Sequence, residues 1–151
     1  IKGVLIAYSS VYGNTQSAAE IVANRLGEQG VKNIQMYDVS VTHPSYVVAE
    51  AFRYSHIVFA TTTYNGGIFV TMENLLLDLK AHNLQNRTVA LIENGTWAAT
   101  AAGQMKNILS SMKGMNVIAN PVTLKSSVKP EKRDELIALA DAICETLKKR
   151  Y

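Results

Sequence analysis

Short apolar runs alternate with longer amphipathic ones along the chain. Val4-Leu5-Ile6-Ala7 is continuously apolar, the pattern of a strand buried on both faces. Between Thr15 and Gln29, the residues Ala19, Val22, Ala23 and Leu26 recur at helical spacing, with Gly27 and Gly30 near the end. Ile34 to Val39 reads as a second strand. Pro44 to Ser55 reads as a helix, with Thr42 or His43 near the cap and Pro44 in the first turn. Ile57-Val58-Phe59-Ala60 is a third buried strand, and Met72, Leu75, Leu76 and Leu79 form the next helical stripe. Val89-Ala90-Leu91-Ile92 is a fourth strand, and Met105, Ile108, Leu109 and Met112 are a further stripe. Val117-Ile118-Ala119 is a weaker fifth strand. Leu136, Ala140, Ile143, Cys144 and Leu147 mark a C-terminal helix.

Strict alternation of five strands with five helices predicts an α/β fold, a parallel sheet with helices on both faces. The central strands lack two-residue polarity, which agrees. In such sheets ligands bind beyond the carboxyl ends of the strands, where the strand order reverses. The loops after the first, third and fourth strands are therefore where chemistry is expected.

A length of 151 residues suits one domain, 1–151, and 48% hydrophobic with 18% charged residues is ordinary for a globular chain. The net charge of +3 is too weak to argue for nucleic acid. Lys148-Lys149-Arg150 reads as a solvated helix end, where cations suit the dipole. No apolar run approaches the ~20 residues of a membrane span. The single cysteine, Cys144, excludes an internal disulfide and a thiol-rich metal site, and fits a reducing, cytoplasmic setting. Ile1-Lys2-Gly3 runs directly into a strand pattern, unlike a signal peptide. An opening Ile in place of Met points to a domain excised from a longer protein, or to a trimmed N-terminus.

The first loop, Ser9-Ser10-Val11-Tyr12-Gly13-Asn14-Thr15, follows a strand and opens a helix. It offers hydroxyls, an amide and a glycine but no Lys or Arg. A phosphate there would be held by hydrogen bonds and the helix N-terminus. Neither GxxxxGK[ST] nor GxGxxG is present. The structural alternative is a plain turn with Asn14 or Thr15 as helix cap. The second loop, Thr61-Thr62-Thr63-Tyr64-Asn65-Gly66-Gly67-Ile68-Phe69, sets an aromatic beside glycines that let a backbone approach a ligand. Its alternative is a turn over a packed aromatic. The third, Asn94-Gly95-Thr96-Trp97, holds the sole tryptophan, either stacking on a ligand or sealing an apolar edge. Phosphate donors plus aromatics describe a mononucleotide-like cofactor, and riboflavin phosphate, FMN, fits best.

Ser10-Val11-Tyr12-Gly13-Asn14-Thr15 resembles the phosphate loop of flavodoxins. Tyr37-Asp38-Val39-Ser40, Ala51-Phe52-Arg53-Tyr54-Ser55, Thr63-Tyr64-Asn65-Gly66-Gly67-Ile68-Phe69 and Glu93-Asn94-Gly95-Thr96-Trp97 resemble something narrower. That narrower group is the C-terminal flavodoxin-like domain of the flavodiiron (A-type flavoprotein) family. The resemblance implies a three-layer sandwich with strand order 2-1-3-4-5. It implies FMN held by Ser9 to Thr15 at the phosphate, with Thr63, Tyr64, Asn65, Gly66, Gly67, Ile68 and Phe69 along the ribityl chain and ring. Asn94, Gly95, Thr96 and Trp97 would flank the ring. It also implies electron transfer from a partner such as rubredoxin or a reductase. The acceptor would be a diiron oxygen or nitric oxide reductase centre in a separate domain. Thr62 and Val70-Thr71 stand where that family has prolines, Thr96 replaces a usual Ser, and Ala99 a usual Pro.

The histidines His43, His56 and His82 are scattered and lack metal-ligand spacing such as HxExD, so no metal site is expected in this chain. No side chain is expected to act as a nucleophile or base, because a flavin carries the redox chemistry itself. Rival readings are an FMN-dependent NAD(P)H:quinone reductase-type enzyme, and a domain that has lost its flavin. A receiver-type signalling domain is disfavoured, because Tyr8-Ser9 and Ala60-Thr61 stand where acidic residues would be needed.

Overall fold

The computed structural model describes residues 2–9, 13–64, 67–95, 100–125 and 128–150, apart from the side chains of Tyr64 and Arg150. The elements in chain order are β1 (Val4–Tyr8), α1 (Asn14–Glu28), β2 (Ile34–Asp38), α2 (Pro44–Arg53), β3 (His56–Tyr64) and β4 (Gly67–Ile68). There follow α3 (Val70–Ala81), β5 (Thr88–Asn94), α4 (Ala101–Ser110), β6 (Asn116–Val117), β7 (Val122–Leu124) and α5 (Pro130–Arg150).

The sheet runs β2-β1-β3-β5-β6, and every pairing on that path is parallel. This is the expected order 2-1-3-4-5. The strand side chains divide by parity, as a pleat requires. Leu5, Ala7, Ile57, Phe59, Val89 and Leu91 pack against α2, α3 and α4. Val4, Ile6, Val58, Ala60, Ala90 and Ile92 pack against α1 and α5 on the other face. Two apolar layers enclose the sheet, which explains why its central strands show no alternation.

Three expectations are corrected. The fifth sheet position is not one strand at 117–119 but two short ones, β6 and β7, both parallel to β5. Between them Ala119 has φ 58° and Pro121 brings no N–H, so the ladder breaks there. Helix α2 ends at Arg53, not Ser55. The second loop begins later than expected, because β3 continues through Thr61–Tyr64 and β4 then pairs back on it, Thr63 with Ile68 and Tyr64 with Gly67.

Candidate functional site

Strands β1, β3 and β5 are neighbours and point the same way, so the three singled-out loops leave one edge of the sheet side by side. The chain turns to opposite sides of β1 to make β2 and β3, which places the reversal of strand order at this edge.

Helix α1 starts directly after Gly13, which has φ 85°. Only glycine adopts that conformation freely, and a Cβ there would meet nothing within 4 Å, so the demand is on the backbone and not on space. Asn14 and Thr15 are the first two helical residues. The alternative that one of them caps the helix does not hold, and no side chain caps α1 among the described residues. The amides of the first turn therefore have no described side-chain acceptor.

Hydroxyls surround that turn. Thr15 is fully buried, and its Oγ1 lies 3.1 Å from Thr62 Oγ1. Ser9 is also fully buried, with Oγ 2.7 Å from Thr61 Oγ1. Thr61 donates its own hydroxyl hydrogen to the Thr62 carbonyl at 3.3 Å, which leaves Ser9 as the donor of the shorter bond. The Ser9 N–H is given to the Ala60 carbonyl at 2.9 Å. Both Ser9 donors are thus used inside the protein. The preceding Tyr8 keeps its phenolic proton. Burial raises its pKa above 10.0, and the carboxylates of Asp38 and Glu20 add to the effect.

At the end of β3, the Thr63 hydroxyl oxygen is buried without a hydrogen-bond partner. A buried hydroxyl left so is costly, and a ligand atom would relieve it. Ile68 is buried, and Phe69 is half-buried at the N-cap of α3. Asn94 ends β5 and is buried, and the Gly95 N–H donates to the Leu124 carbonyl at 3.0 Å. Ser10, Val11, Tyr12, Asn65, Gly66, Thr96 and Trp97 lie outside the described residues, as does the Tyr64 side chain.

Sequence reasoning passed over Glu93. It is buried, its Oε1 accepts the Ala102 N–H at 3.0 Å, and its Oε2 accepts the Thr123 hydroxyl at 2.6 Å. It ties the end of β5 to the start of α4 and to β7.

The histidines serve local structure. His43 caps α2, accepting the Ser45 N–H at 3.2 Å. His56 is buried between Ser55 and Thr146, and His82 ends α3 against the Asp78 carbonyl. Among the described residues no group of three or more His, Cys, Asp or Glu could hold a metal ion. No described helix is long and apolar enough to cross a membrane.

The sequence pattern of the family described as Flavodoxin matches residues 6–149. The chain belongs to the flavodoxin family. That membership indicates FMN as the cofactor. The donor set agrees with it: helix amides that no described side chain caps, buried hydroxyls and a loop sequence without Lys or Arg suit a phosphate, and among the described residues Thr63 has a buried hydroxyl without a partner at the next strand end. This flavodoxin-family fold resembles rubredoxin:oxygen oxidoreductase from the anaerobe Desulfovibrio gigas, with TM-score 0.91 and 22% identity over 98% of this chain. It spans only 36% of that protein. A flavodoxin from the domain Archaea superposes with TM-score 0.85 and 21% identity, over 98% of this chain and 99% of that one. The flavodiiron protein from Giardia intestinalis gives TM-score 0.83 and 17% identity, over 98% of this chain and 37% of that one. No curated protein matches the chain in sequence.

Proposed function

We propose that this chain is an FMN-dependent electron relay that serves a diiron oxygen or nitric oxide reductase centre in a separate domain. The observation that carries the cofactor site is the first turn of α1: uncapped by any described side chain, led in by Gly13 and walled by buried Thr15 and Ser9. In this reading the loop from Ser9 through Ser10, Val11, Tyr12, Gly13, Asn14 and Thr15 holds the phosphate. Backbone amides and the Thr15 hydroxyl donate, while Ser9 supports from below. Thr63, Tyr64, Asn65, Gly66, Gly67 and Phe69 line one side of the ring, and Asn94, Gly95, Thr96 and Trp97 line the other. Bound FMN supplies one- and two-electron redox chemistry. The chain orients it and leaves an edge toward a docked protein.

Support for the diiron assignment comes from the loop sequences together with the likeness to rubredoxin:oxygen oxidoreductase and to flavodiiron proteins, of which this chain spans about a third. A rubredoxin-type donor belongs to the same proposal. A free-standing flavodoxin is the second reading, favoured by the archaeal structure that the chain covers end to end.

Titrating apoprotein with FMN and with riboflavin tests the site. FMN should bind much more tightly, because each charge-assisted bond to a phosphate contributes roughly 1.5–3 kcal/mol. Equal dissociation constants would remove the phosphate site. Mixing FMN-loaded chain with reduced rubredoxin then tests the donor, and no electron transfer on the stopped-flow scale favours the free-standing reading.

A further inference from the structure

Among the described residues, a side chain of α4 holds the short strand that follows β3. Strand β4 is only Gly67–Ile68, and Ile68 stands opposite Thr63 on β3. The Ile68 N–H donates to Gln104 Oε1 at 3.3 Å, from a helix 36 residues further on. Ile68 is buried, so water is a poor substitute acceptor. Across the pair, Thr63 Oγ1 is one of two buried hydroxyls without a partner among the described residues. Helix α4, which carries Gln104, is itself fixed. Two residues earlier its Ala102 N–H is held by Glu93 Oε1, and the other Glu93 oxygen is held by Thr123 on β7. The first turn of one helix thus reaches both strand ends that flank the ring: β5 through Ala102, and the β3–β4 hairpin through Gln104.

We propose that Gln104 is a positioning residue for the flavin ring, holding the Gly67–Ile68 backbone at a fixed distance from β5 through α4. The proposal rests on the FMN reading above. Gln104 need not touch the flavin. It removes freedom from a two-residue strand that has little pairing of its own, and the ring then meets a preformed slot.

The test uses the full chain with Gln104→Leu, which removes the acceptor, and Gln104→Glu, which keeps one at the same reach. Gln104→Met replaces the leucine variant if that variant does not fold. Three quantities are read: exchange of the Ile68 amide in apoprotein, dissociation constants for FMN and riboflavin, and the one-electron potentials of FMN-loaded chain. The leucine variant should speed Ile68 exchange. It should weaken FMN and riboflavin by the same factor, roughly threefold to tenfold, and shift the potentials. The ratio of the two affinities should stay at the wild-type value, because the phosphate loop is untouched. The glutamate variant should restore exchange protection and riboflavin affinity. Unchanged flavin affinities and potentials alongside faster Ile68 exchange overturn the proposal, as do equal losses in both variants. Failure of the FMN reading is separate: it appears as equal FMN and riboflavin affinity in the wild type.

Discussion

Thr15 Oγ1 stands 3.1 Å from Thr62 Oγ1, joining the first turn of α1 to the protruding end of β3 across 47 residues of sequence. Two hydroxyls in mutual contact carry two hydrogens and use one. The second remains free to point at a bound anion. Thr62 stands where the resemblance noted in the sequence would put a proline, and a proline could not supply this hydroxyl. The departure in sequence therefore has a structural use.

Removing either hydroxyl separates support from binding. Thr62→Val and Thr15→Val should each cost apoprotein about 1 kcal/mol, seen as a fall in Tm of roughly 2–4 °C. Only Thr15→Val should also weaken FMN markedly, by more than the loss it causes for riboflavin. Calorimetry and parallel titrations decide. Equal effects of both substitutions on FMN would make Thr15 a support and not a donor.

Glu93→Ala should reach further than its distance from the ring suggests. It leaves the Ala102 N–H and the Thr123 hydroxyl without their acceptor. Bonds to a charged group contribute roughly 1.5–3 kcal/mol, so denaturant melts should show a loss of that order. FMN affinity should fall with it, because both flanks of the third loop are released. Glu93→Gln, which retains one acceptor oxygen, should lie between.

A control for stability without site damage is Gly114→Ala. Gly114 has φ 70°, and an added Cβ would collide with Asn86 Oδ1. The backbone cost alone is roughly 1–2 kcal/mol. Gly114 precedes β6, at the opposite end of the sheet from the three loops. Tm should drop while the FMN dissociation constant of the remaining folded protein stays put.

Alkaline stability should depend on Cys144. Burial pushes its thiol above the ordinary 9.0, and the nearby Asp141 adds to that. A folded value above the unfolded one means the contribution is whole below pH ~9 and is lost as pH rises through the folded value. Tm should therefore fall between pH 8 and 10 more steeply in wild type than in Cys144→Ala. Both share a residual slope from Tyr8 and Tyr37, whose phenols burial also raises above 10.0. Identical slopes would place the thiol outside this linkage.

The buried strands were legible because a parallel sheet covered on both faces leaves unbroken runs such as Val4 to Ala7 and Ile57 to Ala60. The strand, turn and helix around Thr15 were legible too, since apolar run, hydroxyl-rich segment and helical stripe follow in a row. Elements of two or three residues give no periodicity, so β4 and the split of the fifth strand into β6 and β7 were not. The Asn65-Gly66 pair between Tyr64 and Gly67 is nevertheless the strongest short hairpin signal a sequence carries. Glu93 and Gln104 escaped for another reason. Their partners are backbone N–H groups 9 and 36 residues away, and nothing in residue type announces a distant amide.

The interruption between β6 and β7 also bears on what the molecule does in company. An edge strand presents a row of ungratified backbone groups to any passing chain. Here the row on the β5 side is cut into pieces of two and three residues, with the positive φ of Ala119 and the ring of Pro121 between them. A neighbouring strand that zipped onto either piece would lose register at the gap. Crowded copies of the chain are thus denied a continuous template for fibril growth along that border, a safeguard written into a few residues.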